Sequence, residues 1–205
     1  MKTIRLTLLS LTLLLVTACS ILPEPTPQRV YQLPDQITTA GQSKQPGATK
    51  LSLRVSTPSS PLILSSNRVL VMSEPNQLAA FKGVRWSDPM PQLFQARLVH
   101  YLRDANNWRV VSTDDTPISS DYELVIRLAQ FHAVRMPAHA PGVQITVNAT
   151  LVNRNNKKAV SSQTFSELAP ANSSTFTDLL HAYGTAANTV SANINTWAKA
   201  QVEGY

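Results

Sequence analysis

The chain has 205 residues, is 43% hydrophobic and 15% charged, and carries a formal net charge of +6. That hydrophobic share suits a packed core and excludes a disordered chain; the length allows one ordinary domain plus a tether. Its only cysteine is Cys19, which excludes an internal disulfide and leaves the core to hold the domain unaided.

The chain opens with Lys2 and Arg5, followed by an apolar stretch over residues 6–18 softened only by Thr7, Ser10, Thr12 and Thr17. This has the length of a signal-peptide core and is too short to cross a bilayer as a helix, which needs roughly 20 residues. It ends in Val16-Thr17-Ala18-Cys19, which resembles the bacterial lipobox. The expectation is cleavage after Ala18 and acylation of the Cys19 thiol, giving a membrane-bound, periplasm-facing lipoprotein. The competing reading is an ordinary secreted protein with a cysteine near the cut, but a lone unpaired thiol is unusual there. One acyl chain binds a bilayer only marginally, whereas the two or three of a bacterial lipoprotein anchor it. Ser20 follows the cysteine, and by resemblance to enterobacterial lipoproteins a residue other than Asp there favours the outer membrane. Loss of Lys2 and Arg5 with the signal brings the charge near +4. A modest basic balance fits solubility or anionic lipid, and export makes nucleic acid an unsuitable partner.

The expected organisation is a signal peptide over 1–18, a lipidated tether over 19–29 and a single domain over 30–205. Pro23, Pro25 and Pro27 keep the tether extended, so ten residues reach roughly 30–35 Å. Val30-Tyr31-Gln32-Leu33 reads as a short strand and residues 35–50, with Gly41, Pro46 and Gly47, as a loop. Leu51-Ser52-Leu53-Arg54-Val55 alternates cleanly and predicts a half-buried strand, ended by Pro58 and Pro61; residues 67–72 offer another. Pro61-Leu62-Ile63-Leu64 is read either as a buried strand or as an exposed contact. Ser87 or Asp88 is expected to cap a helix with Pro89 in its first turn, and Phe94, Leu98, Tyr101, Leu102 and Ala105 form its apolar stripe.

A short strand is expected over 108–111, then three longer ones over 122–131, 143–152 and 159–168, the last two joined by a polar turn over 153–158. Pro137, Pro141 and Gly142 mark the earlier connection. Strands in succession with short links predict an antiparallel meander. Ser173 or Ser174 is expected to cap a closing helix whose stripe is Phe176, Leu179, Leu180, Tyr183, Ala187, Val190, Ile194 and Trp197. The expected class is α+β: an antiparallel meander sheet with two amphipathic helices packed on one face.

Motifs for catalysis are scarce. His100, His132, His139 and His181 form no His-x-x-x-His pair, and only His132 and His139, flanking Pro137, are placed to approach each other across a turn. No Gly-rich phosphate loop or Gly-x-Ser-x-Gly elbow occurs, and Asp114-Asp115 reads as a solvated pair in a turn. No catalytic residue, metal or cofactor is expected. Trp86, Trp108 and Trp197 read as structural, and Arg154, Lys157 and Lys158 gather at one turn as a solvated tip or a contact for anionic headgroups or an acidic partner.

The order of these features resembles the ABC-type transport auxiliary lipoproteins, whose best-known type is paraquat-inducible protein C. The resemblance runs from the lipobox through Tyr31-Gln32-Leu33-Pro34, residues 51–55, Arg85-Trp86-Ser87-Asp88-Pro89-Met90-Pro91 and residues 124–131, to the helix ending near Trp197. Where that family often has a Val-Pro-x-Tyr-Leu segment, this chain has Thr57-Pro58-Ser59-Ser60-Pro61-Leu62. The resemblance implies a non-enzymatic subunit of an intermembrane lipid transport system that helps maintain the cell envelope. Its implied partners are an inner-membrane transporter component and a periplasmic conduit with mammalian-cell-entry domains, which the lipoprotein docks or assembles at the outer membrane. A ring-shaped homo-oligomer suits that task. The alternatives are a lipid-binding periplasmic carrier and a structural lipoprotein assisting another outer-membrane assembly.

Overall fold

The computed structural model describes residues 27–34, 49–136 and 140–203. Within them an eight-stranded mixed sheet carries two helices. The strands are β1 (Arg29–Tyr31), β2 (Ser52–Val55), β3 (Arg68–Glu74), β4 (Gln77–Trp86), β5 (Val110–Thr113), β6 (Tyr122–Val134), β7 (Gly142–Asn153) and β8 (Lys158–Pro170). The helices are α1 (Met90–Asp104) and α2 (Phe176–Glu203).

The sequence alternation is clearest in β6 and β7, and these pair with each other and with β8 as two long antiparallel ladders. One face of β6 and β7 buries Leu124, Ile126, Leu128, Val143, Ile145, Val147 and Leu151. The opposite face carries amides and hydroxyls bonded across strands, as in Thr146 to Gln130 (2.7 Å) and Thr164 to Asn148 (2.8 Å). Period-two alternation therefore becomes one apolar and one polar face.

The other edge of β6 is shared. β2 pairs with its start in parallel (Leu53 opposite Tyr122), Ser59 bridges to Arg127, and β3 joins its end in parallel (Val71 opposite Ala133). Between these contacts residues 60–67 leave the sheet and return. β5 adds to β2, while β4 and then β1 add to β3, so the sheet forks at β6. The long pairings are antiparallel, but meander describes only β6–β8; β3 and β4 form a separate antiparallel hairpin, and β1, β2, β3 and β5 join their other neighbours through parallel ladders.

β4 is a strand the sequence did not announce. Its apolar residues Leu78, Phe81, Val84 and Trp86 are unevenly spaced because the ladder jumps from Leu70–Ala80 to Arg68–Arg85. The excess residues of β4 bulge out around Gly83, whose φ of 70° suits glycine. The hairpin before it turns at Pro75 and Asn76, with Asn76 at φ 64°, the positions a type II turn uses.

α1 packs on α2 and on β5, and α2 lies along β7 and β8. The helix stripes are inward as expected: Phe94, Leu98 and Leu102 in α1, and Leu179, Tyr183, Ala187, Val190, Ile194 and Trp197 in α2 are buried. The caps differ from expectation. α1 begins after Pro89 with no side-chain cap from Ser87 or Asp88; Pro91 in its first turn has no N–H to satisfy. α2 is capped by Thr175, whose Oγ1 accepts from the Asp178 backbone N–H (3.2 Å), while Ser173 bonds the Asp178 carboxylate and the Thr175 N–H.

Aromatic rings join the fork to the rest. Trp86 of β4 meets Tyr183 of α2 edge-on at 5.1 Å and Phe131 of β6 at 6.2 Å, and Phe131 stacks on Tyr183 at 5.3 Å. The Tyr183 hydroxyl donates to the Leu70 carbonyl at 2.9 Å. All three rings are fully buried, each removing an apolar area worth several kcal/mol at about 25 cal/mol per Å².

Candidate functional site

Cys19, with the cleavage point after Ala18 and the tether up to Thr26, lies outside the described residues. The tether's last residues enter the fold at β1. β1 runs parallel to β4, β4 antiparallel to β3, and β3 parallel to β6. The chain therefore arrives heading away from the C-terminal end of β6, level with its last residues.

The basic turn sits at the other end of β6, where Asn153 faces Tyr122. Three further segments converge there. Arg109 N–H donates to the Leu51 carbonyl (2.9 Å), Thr49 N–H to the Asn107 carbonyl (2.9 Å), and Arg154 N–H to the Asp121 carbonyl (3.0 Å). Lys50, Arg109, Arg154, Lys157 and Lys158 thus share one end of the sheet, and all but half-buried Arg154 are exposed. Lys157 has φ 58° in the turn, and Asn153 and Asn156 side chains bond the backbone on either side of it. Eight or nine residues of strand, at about 3.3 Å each, separate this end from the point where the tether joins: roughly 25–30 Å.

Two acids lie within the basic end, and both are held by the fold. Asp121 Oδ2 accepts from the Ser52 N–H and Ser52 Oγ, each at 2.7 Å, and lies 3.6 Å from Arg109. The Ser52 hydroxyl and N–H hold its pKa below the ordinary carboxylate value. Glu123 accepts from Ser56 Oγ at 2.5 Å and lies 3.8 Å from Arg154. These carboxylates clamp β2 to β6, leaving Lys50, Lys157 and Lys158 to set the sign of the surface.

The Asp114-Asp115 pair is a structural tie. Burial pushes the Asp114 pKa up, but bonds from the Thr57 N–H (3.0 Å), Gln95 Nε2 (3.0 Å) and Thr57 Oγ1 (3.1 Å) outweigh it and lower the value. Asp115 accepts from Thr113 Oγ1, which lowers its pKa too. Neither carboxyl is placed as a proton-sharing dyad. His132 is buried, with Nδ1 against the Ala133 carbonyl at 3.2 Å, and burial lowers its pKa. His139 lies outside the described residues with the Pro137 turn, so its expected approach to His132 falls there too.

Residues 61–64 follow neither expectation entirely. They form no strand: a short 3₁₀ turn over Leu62–Ser65 buries Leu64 at 2% exposure and presents Leu62 at 89% and Ile63 at 42%. Trp86, Trp108 and Trp197 are all buried, and Trp108 Nε1 donates to Asn195 Oδ1 at 3.1 Å.

Two surface clefts run along the flank of α1, one between Leu33, Pro34, Leu93 and Arg97, the other between Gln95, Arg103, Thr113 and Asp115. Arg97 lies under the first, donating to the Leu33 carbonyl at 3.0 Å and to the Pro34 carbonyl. Sequence reasoning did not single out Arg97, because a cation within an apolar helix stripe reads as surface until its carbonyl partners are known.

No curated relative matches the chain. Among solved structures, one from Xanthomonas campestris is 23% identical with a TM-score of 0.77, covering 86% of this chain and 97% of its own. An uncharacterised protein is 20% identical with a TM-score of 0.66, covering 83% and 98%. At such identities they establish a shared fold. The sequence itself matches the family described as the ABC-type transport auxiliary lipoprotein component over residues 31–195. That span covers most of the chain and contains the forked sheet, α1 and nearly all of α2, and the family is one of transport auxiliaries rather than a known enzyme family: this chain is a member of the ABC-type transport auxiliary lipoprotein family.

Proposed function

We propose that this protein is a lipid-anchored subunit of an intermembrane transport system, tethered through Cys19 after cleavage at Ala18 and docking the system's periplasmic conduit at the outer membrane. The observation that carries the reading is the family match over residues 31–195. The lipobox-like end supplies the anchor, and Ser20 favours the outer membrane. The partner is a mammalian-cell-entry domain protein, coupled to an inner-membrane transporter component; a homo-oligomeric ring suits an adaptor that caps a conduit. Supporting the docking role is the separation between the tether's entry at β1 and the basic end holding Lys50, Arg109, Lys157 and Lys158. An adaptor requires such a division, with one region committed to the membrane and another turned toward a partner.

Crosslinking in intact envelopes, followed by identification of the captured protein, tests the role. Recovery of a mammalian-cell-entry protein is expected. Recovery of a different outer-membrane assembly without any conduit overturns the reading in favour of a structural lipoprotein. The carrier alternative predicts lipid co-purifying with the domain; the space between sheet and α2 is instead occupied by Trp86, Phe131 and Tyr183. Intact-mass analysis tests the anchor. An unmodified Cys19 thiol, or normal membrane fractionation of Cys19→Ser, refutes it.

A further inference from the structure

Arg68 of β3 and Arg85 of β4 stand directly opposite each other. Their neighbouring pair is joined by the Trp86 N–H to the Asn67 carbonyl at 2.8 Å. The arginines therefore occupy the non-hydrogen-bonded position, where side chains lie closest and like charges oppose the fold. Both are exposed, and among the described residues no carboxylate lies within ion-pairing distance of either. Val30 of β1 is the next residue across the same row, paired with Arg85 and 51% exposed. Two unneutralised guanidinium groups beside the bare Val30 side chain make a surface suited to phosphate groups with hydrocarbon beneath them.

The tether identifies the occupant. β1, which completes the row, is where the chain enters, and Cys19 lies ten residues before Arg29. That length reaches at most roughly 35 Å, so an anchored bilayer is held within contact range at high effective concentration. We propose that Arg68 and Arg85 bind the phosphates of anionic phospholipid in the membrane that holds the Cys19 lipid, laying this face of β1, β3 and β4 on the bilayer. The inference rests on the lipid-anchored reading, and it sets the basic end with Lys157 away from that bilayer.

The test uses the processed, lipidated chain in vesicles of phosphatidylethanolamine with or without 30% phosphatidylglycerol. Because Cys19 is blocked by lipid, a single added cysteine carries a fluorophore, at Asn67→Cys beside the arginines or at Asn156→Cys in the distal turn. Doxyl-labelled lipid reports contact. Quenching at position 67 is expected in anionic vesicles, weakened about fivefold by either Arg68→Gln or Arg85→Gln and by high salt, while position 156 stays unquenched. The two glutamine variants are also expected to unfold at a higher urea concentration than the parent, since each relieves repulsion. A merely structural role for the arginines does not give these opposite signs. Quenching at 156 instead of 67 overturns the proposal, as does quenching at 67 that is indifferent to both arginines. Glutamine variants that keep full quenching but lose a crosslinked periplasmic protein assign the pair to an acidic partner and overturn it too. An unmodified thiol on Cys19 sinks the anchored reading itself, by mass rather than by quenching, so the two failures are separable.

Discussion

The two sides of β6 are built on different principles. On one side, β7 follows in sequence and zips against it, and β8 zips against β7 after a short turn, each residue meeting a partner fixed by its neighbour. On the other, β2 and β3 arrive from far earlier in the chain, run parallel, and each hold only two or three residues of β6. Short parallel ladders are weaker per residue and close long loops. The forked side compensates with side chains: Asp121 and Glu123 clamp β2, and the Trp86–Tyr183–Phe131 cluster ties β4 to β6 and α2. A ladder supplies its own specificity, whereas a fork depends on a few placed groups.

The sharpest way to break that comparison is to empty the aromatic tie. Trp86→Ala removes a fully buried ring touching both sides and is expected to cost about 3–5 kcal/mol. Urea unfolding followed by tryptophan fluorescence and by far-ultraviolet circular dichroism should still give one coincident transition. Two separate transitions in the parent protein would show that fork and ladder fold as independent units. Next in size is Asp121→Ala, which strips two bonds from Ser52 and is expected to cost about 1–3 kcal/mol. Hydrogen exchange should speed up at Leu53 and Val55 while residues of β7 stay protected. Because the folded Asp121 pKa is depressed, its contribution is complete above the ordinary carboxylate value and is lost as pH falls through the folded one. The parent's loss of protection at β2 should therefore appear under acid conditions, and the Asp121→Ala variant should not show it. Tyr183→Phe, which removes only the hydroxyl bonded to the Leu70 carbonyl, is expected to cost about 1 kcal/mol by the same melts.

How much of this was legible follows the same division. β6, β7 and α2 announce themselves because their apolar residues keep the strand or helix period over several successive repeats, and β8 follows from the polar turn that joins it to β7, where local pairing leaves little choice of partner. β4 does not: the bulge around Gly83 breaks its period, and the only available signal was Pro75-Asn76, a turn pair lying between two apolar runs. The parallel placement of β2 and β3 is invisible because nothing in Leu53 or Val71 names a partner 60 or more residues away. Leu62 and Leu64 illustrate the limit within one tetrapeptide, since a 3₁₀ turn sends one outward and the other inward where composition treats them alike. The surface groups divide similarly. Arg154, Lys157 and Lys158 cluster in sequence and are legible there, whereas Lys50 and Arg109 join them only through folding, and Arg68 meets Arg85 only across a ladder.

The finest test sits where the fork rejoins β6. His132 lies on β6 next to Ala133, the residue paired with Val71 of β3, and it is buried with its pKa held below the ordinary histidine value. The folded protein therefore favours the neutral ring, while the unfolded chain takes up a proton near pH 6.5. Between the depressed folded value and the ordinary one the unfolded state binds more protons, so stability rises with pH in that window. It is complete above about pH 6.5 and declines as pH falls through the folded pKa. Urea midpoints measured from pH 7.5 to 5.5 should drop for the parent and run flatter for His132→Gln, the smallest of the expected effects. Its location gives it value: protection of the Val71 and Ala133 amides, taken relative to their intrinsic exchange rates at each pH, should fall on acidification before that of Val147 and Leu151. If the β7 amides respond first, the ladder rather than the fork is the weaker seam, and the assignment of strength to the two sides of β6 is reversed.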